Sequence, residues 1–243
     1  KEASKLAEEE AKKAAEAKKA EPRKEMGFIS VSIGSGVGEI FKGLGVDYLI
    51  EGGQTMNPST EDMLNAIDQV NADTVFILPN NKNIVLAANQ ACHLVEDKEI
   101  IVIPTKTVPQ GVCAMMAFLP HLEKEDNESA MCEAIENVKT GQVTYAVRDA
   151  IVNGVAVKKD EFMCISDGKL VSAGYTKVNV LMDAFANTED IDDKEILTVF
   201  YGKNLSDNEK NRFRNAVEEK YPDLELIEYE GGQDIYSFLV SLE

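Results

Sequence analysis

The sequence predicts an α/β protein in two lobes: a parallel sheet with helices on both faces, then a lobe whose sheet is largely antiparallel or mixed. Three observations carry this. Four β-rich runs recur at similar spacing between Phe28 and Pro104, each closed by Gly, Pro or a polar loop. The gaps between them place apolar residues at helical spacing. Beyond about residue 120 the rhythm changes to short alternating runs broken by Asn-Gly and Asp-Gly, which favour two-residue hairpin turns.

The chain opens with KEASKLAEEEAKKAAEAKKAEPRKE, residues 1–25, where Leu6 is the one large apolar side chain. Pairs such as Glu8–Lys12 and Glu9–Lys13 support a helix, but with no apolar stripe it has no face to bury. The segment reads as a charged helical linker ended by Pro22. With Lys1 in first place, the chain is expected to be a piece of a longer cytoplasmic protein.

The first lobe is assigned to residues 26–122. FISVSIG (28–34), VDYLIEG (46–52), TVFILP (74–79) and EIIVIP (99–104) are its strands. Met63, Leu64, Ile67 and Val70 share one helix face, and Ile84, Ala88, Ala91 and Val95 share another. The second lobe is assigned to residues 123–243. VTYAVRDAIVNGVAVKKDEFMCISDGKLVSA (143–173) predicts antiparallel strands. A helix near 176–187, the strand ILTVFYG (196–202) and a helix near 206–220 follow, and LELIEYEGG and IYSFLVSL close the second sheet.

The net charge of −18 is uneven: residues 1–25 carry eight Lys or Arg against seven Glu, which leaves −19 on the rest. So acidic a body repels phosphate backbones, which excludes nucleic acid and anionic membranes as partners. No apolar run approaches the roughly 18 residues of a membrane span. Cys92, Cys113, Cys132 and Cys164 form no CxxC pair, and with His93 and His121 they give no zinc spacing. Reduced, buried thiols are expected.

In a parallel sheet, ligands collect where strands end and loops lead into helices. Four such ends are predicted here, all on one rim. The first is Gly34-Ser35-Gly36-Val37-Gly38, whose GxGxG spacing puts Glu39 where a dinucleotide site wants its third glycine; a tight turn with Ser35 near a polar ligand fits better. The second is EGGQTMNPST (51–60). Asn57 as N-cap and Pro58 at the first helical position explain part of it, and Gln54, Thr55, Ser59 and Thr60 exceed what one cap needs. The third, LPNNKNI, crowds Asn80, Asn81, Lys82 and Asn83 between strand and helix. The fourth, PTKTVPQG, offers Thr105, Lys106, Thr107 and Gln110. These rim residues are the candidate ligand- or partner-binding set.

No catalytic set emerges. Cys92 and His93 are adjacent in a helix and cannot face each other, and there is no GxSxG elbow or GxxxxGK[ST] phosphate loop. The second EGGQ, residues 230–233, is expected to be a turn alone.

EGGQTMNPST, LPNNKNI, IPTKTVPQG, VTYAVRD and the terminal EGGQ with IYSFLVSLE together resemble the C-terminal domain of the kinase component of fatty acid kinase (FakA), in the dihydroxyacetone kinase-like family. The resemblance runs from about Phe28 to Glu243. It implies an upstream kinase domain that binds ATP and magnesium, joined by a middle region, with no cofactor in this chain. It implies a DegV-type carrier protein as the partner that holds the fatty acid for phosphorylation. It also implies a two-lobed DegV-like fold with an acyl ligand between the lobes. The carriers' T-S-Q-P-S-like loop reads Thr55-Met56-Asn57-Pro58-Ser59 here, their Ser-Gly-Thr loop reads Asn80-Asn81-Lys82-Asn83, and their C-terminal His with Gly-Pro-Gly has no counterpart. The expected function is a non-catalytic domain that docks or positions the carrier. The alternative is a ligand-sensing domain that binds an acyl group or small polar metabolite between the lobes.

Overall fold

A computed structural model describes residues 22–53 and 57–243. In chain order they form β1 (Lys24–Ser32), α1 (Ser35–Gly43), β2 (Tyr48–Glu51), α2 (Thr60–Gln69), β3 (Ala72–Leu78), α3 (Val85–Cys92), β4 (Glu99–Val102), α4 (Val108–Ala117) and α5 (Lys124–Asn137). Then come β5 (Lys139–Tyr145), a hairpin of β6 (Ala150–Val152) and β7 (Val155–Val157), β8 (Phe162–Ser166), β9 (Lys169–Gly174) and α6 (Lys177–Ala186). A 3-10 turn (Ile191–Asp193), β10 (Ile196–Tyr201), α7 (Asp207–Lys220), β11 (Glu225–Glu230) and β12 (Phe238–Leu242) complete the fold. The body of the linker assigned to residues 1–25 lies outside the described residues. Its last two, Lys24 and Glu25, belong to β1 instead: Lys24 pairs with Ala72, while both side chains stay exposed and leave no hydropathy mark.

The α/β class and the two kinds of sheet stand as expected. The first sheet is parallel throughout, in the order β2-β1-β3-β4. The second has the order β11-β10-β12-β5-β8-β9, with β10 and β11 parallel and the other neighbours antiparallel. Its tight turns are those the dipeptides require, with positive φ at Asn153-Gly154 and Asp167-Gly168.

Side-chain alternation stacks these sheets into five layers. Ile29, Val31, Val75 and Ile77 of the parallel sheet pack on Met63, Ile67, Ile84 and Ala88 of the outer helices. The opposite face puts Phe28, Phe76 and Leu78 on Phe41, Val112 and Met115, and the same cluster takes in Phe200 and Leu239 from the second sheet. Val143, Val199, Phe238 and Val240 point the other way, onto α6 and α7. The α5 helix, assigned by sequence to the second lobe, places Met131 and Ile135 in the central cluster. The middle helical layer is thus shared by both sheets and fixes how they sit.

A backbone seam locks the sheets together on one side. The α1 entry, Gly34 to Val37, lies directly on Glu230-Gly231-Gly232-Gln233. The Val37 N–H donates to the Gly231 carbonyl at 3.0 Å, so a helix N-terminus open to an anion by sequence is capped by main chain. A Cβ on Gly36 would stand 1.7 Å from the Glu230 carbonyl oxygen. Gln233 is fully buried and donates to the Phe200 carbonyl at 2.8 Å. The second EGGQ is therefore an inter-sheet contact as well as a turn, which its own sequence could not reveal because its partner lies nearly two hundred residues away.

Candidate functional site

With strand order β2-β1-β3-β4, the crossovers reverse direction between β1 and β3, and a crevice opens beyond their carboxyl ends. A cleft of about 410 Å³ lies there, between the rim of the parallel sheet and the inner face of the second sheet. Val31, Ile33, Val108, Ile135, Ile165 and Leu239 give it apolar walls. Polar residues from the third and fourth predicted loops surround its mouth.

Asn80, Asn81, Lys82, Asn83, Lys106, Thr107 and Gln110 all line this cleft, together with Gly52 and Gly53 of the second loop. Most are already engaged within the protein. Asn80 sits at φ 55° and is 8% exposed; its side-chain amide donates to Ser30 Oγ at 2.9 Å and to the Val31 carbonyl at 2.8 Å, and its own N–H donates to Thr105 Oγ1 at 3.0 Å. That geometry clamps β3 to β1 and to the loop after β4. Thr105 is fully buried by it and does not line the cleft. The Thr107 hydroxyl caps α4 by accepting from the Gln110 N–H at 3.2 Å. Gln110 accepts from the Lys106 N–H at 2.7 Å and donates to the Ile135 carbonyl at 3.3 Å. Asn81 Oδ1 accepts from the Asn83 N–H at 2.9 Å, a local turn. Lys82 and Lys106 are exposed and have no ion pair among the described residues.

The first two loops contribute less than their sequences suggest. Ser35 is exposed at the seam, with its Oγ beside Gly232, and does not line the cleft. Asn57 is not the α2 cap. The helix starts two residues later: Ser59 accepts from the Asp62 N–H at 3.2 Å, while the Asp62 carboxylate accepts from the Ser59 N–H and hydroxyl at 2.7 and 2.8 Å. Two bonds to one carboxylate favour this register over the Asn-Pro start, and neither Asn57 nor Ser59 reaches the cleft. Gln54, Thr55 and Met56 lie outside the described residues.

Sequence reasoning missed the opposite wall. Thr140, Gln142, Ile165, Asp167 and Gly168 come from β5 and the β8–β9 turn, Glu136 and Val138 from the end of α5, and Tyr236 from the approach to β12. The usable signal was the alternation of β5: its residues 140 and 142 face inward while Gly141 and Val143 face the outer helices. The thiols stay out of the site. Cys113 is pushed up by burial and by the Glu243 carboxylate, and Cys164 is pushed up to about 12 by burial.

Comparisons with known proteins agree with this architecture. A family model for the C-terminal domain of FakA-like fatty acid kinase proteins matches residues 27–243. Protein YloV of Bacillus subtilis (strain 168) is 45% identical over 217 residues, covering 89% of this chain and 39% of that protein. The chain thus spans about two fifths of the relative's length. Among solved structures, a DegV family protein from Thermus thermophilus, described with fatty acid binding, aligns with a TM-score of 0.60 at 10% identity, covering 90% of this chain and all of the other. The Streptococcus pneumoniae Fatty Acid Kinase (Fak) B3 protein, loaded with linoleic acid, aligns at 0.59 and 11% identity, covering 90% and 99%. Such identities establish a shared DegV-like fold alone. The family match spans both sheets and every wall of the cleft, and the chain belongs to the FakA-like C-terminal family of fatty acid kinase proteins.

Proposed function

We propose that this chain is a non-catalytic recognition domain of a fatty acid kinase, which docks or positions a DegV-type carrier while phosphorylation proceeds on an upstream domain holding ATP and magnesium. The carrying observation is the state of the rim. The fold is that of the fatty-acid-binding neighbours, yet Asn80, Thr105, Thr107, Asn81 and Gln110 are all bonded internally. Freeing those groups for a carboxylate would leave buried partners unpaired. Lys82, Asn83 and Lys106 instead present an exposed polar surface beside the crevice, suited to a protein contact. The test is capture of a DegV-type carrier by the full-length protein with and without residues 26–243. Loss of capture on deletion, and weakening by Lys82→Glu with Lys106→Glu, is expected. Unchanged capture in both cases refutes the docking role.

The cleft favours a second reading, a ligand-sensing domain that takes an acyl group or polar metabolite between the sheets. Its volume of about 410 Å³ lies within the range of small-molecule sites, and its walls are apolar with polar groups at the mouth. Native mass spectrometry of the purified chain tests this. A protein that emerges ligand-free and stays so with added fatty acids counts against it.

A further inference from the structure

The cleft has a second polar region, on the wall that the second sheet supplies. Tyr236 packs within the central cluster and is 8% exposed, and it lines the cleft. Burial alone pushes its phenol well above the ordinary value, with no hydrogen bond or charge contributing. Its hydroxyl has no partner among the described residues, yet it is not one of the fully enclosed orphan atoms. The opening left to it is the cleft. Buried phenols ordinarily find a partner. Gln142 on β5 stands opposite Leu239 in the sheet, faces the same cleft, and its side-chain amide is also unbonded among the described residues.

Three chemistries therefore meet in one cavity. The cations Lys82 and Lys106 stand at the mouth; apolar walls run inward; and the unbonded phenol and amide wait on the far wall. A plain hydrocarbon chain would cover the far wall and leave both polar groups desolvated and unpaired, which is unfavourable. A chain bearing an oxygen there would satisfy them. We propose that the cleft binds an oxygenated acyl acid, with its acid group at Lys82 and Lys106 and a hydroxyl or keto group of its chain hydrogen-bonded to the Tyr236 hydroxyl and the Gln142 amide. This rests on the second reading above, that the cleft is a ligand site, and names the ligand's class.

The test is calorimetric titration of the purified chain with two matched pairs of acids: oleate against ricinoleate, and myristate against β-hydroxymyristate. Each pair differs chiefly by one chain hydroxyl. The hydroxylated member of at least one pair is expected to bind about tenfold more tightly, the range of one buried hydrogen bond gained. Tyr236→Phe removes an unpartnered hydroxyl and so leaves the fold intact; it should abolish the preference while changing affinity for the plain acid by no more than about twofold. Lys106→Met should weaken all four acids alike. Equal affinity within both pairs, or a preference that survives Tyr236→Phe, overturns this inference while the cleft remains a ligand site. Failure of the folded wild-type chain to bind any of the four overturns the ligand-site reading and this inference together.

Discussion

Gly36→Ala tests the seam between the sheets with a single methyl group. A Cβ at this position stands 1.7 Å from the Glu230 carbonyl oxygen and 2.8 Å from its carbon, whereas real contacts of this kind almost never fall below 3.0 Å. The two backbones must therefore part by at least 1.3 Å, the difference between 3.0 and 1.7. Neither side can yield by a rotamer change, because both contacting atoms are main chain. Parting also stretches the Val37 N–H to Gly231 carbonyl bond, now 3.0 Å. Overpacking costs about 1–3 kcal/mol and the hydrogen bond about 1 kcal/mol, so a loss of about 2–4 kcal/mol is expected. Urea unfolding followed by circular dichroism reads it as a lower midpoint at unchanged slope. Gly43→Ala, in the same helix, is the control: nothing lies within 4 Å of its Cβ, and alanine should stabilise by about 0.5 kcal/mol. A Gly36→Ala protein within about 0.5 kcal/mol of wild type would falsify the seam as a close backbone contact.

Three further outcomes are expected. Asn80→Ala should cost about 2–4 kcal/mol in the same assay, because it leaves the Val31 carbonyl without its donor and puts alanine at φ 55°; Asn80→Gly, which relieves the φ penalty alone, should cost less. Ser206→Ala should lower stability by about 1 kcal/mol through loss of the α7 capping box. Although burial raises the Glu209 carboxyl, bonds from Ser206 and Lys177 outweigh it and hold the group below 4.5, so its stabilisation is present above that value and is lost as pH falls through the lowered one. The acid limb of a stability–pH profile should therefore flatten in Ser206→Ala. Thiol labelling at neutral pH, mapped by mass spectrometry, should reach the half-buried Cys92 and Cys132 before Cys113 and Cys164, which burial holds protonated; fast labelling of Cys164 in folded protein would contradict its packing.

Much of this fold is written locally. FISVSIG and TVFILP are apolar on both sides because helices cover both faces of the sheet they enter. Asn153-Gly154 and Asp167-Gly168 specify their turns because they tolerate positive φ. The rim loops follow from the strand ends, and the family follows from their residues in order. What the sequence could not decide was which side of each polar residue is occupied. Asn80 and Thr105 look like ligand donors until the strand order sets them against each other and against β1. Asn57 looks like a cap until Ser59 offers a better one with Asp62. Gln142, Tyr236 and the second EGGQ become a wall and a seam only because the middle helical layer brings two sheets face to face. Periodicity and turn chemistry act over a few residues and are legible in the chain. Satisfaction of a buried polar group depends on partners distant in sequence, and only the packed structure decides it.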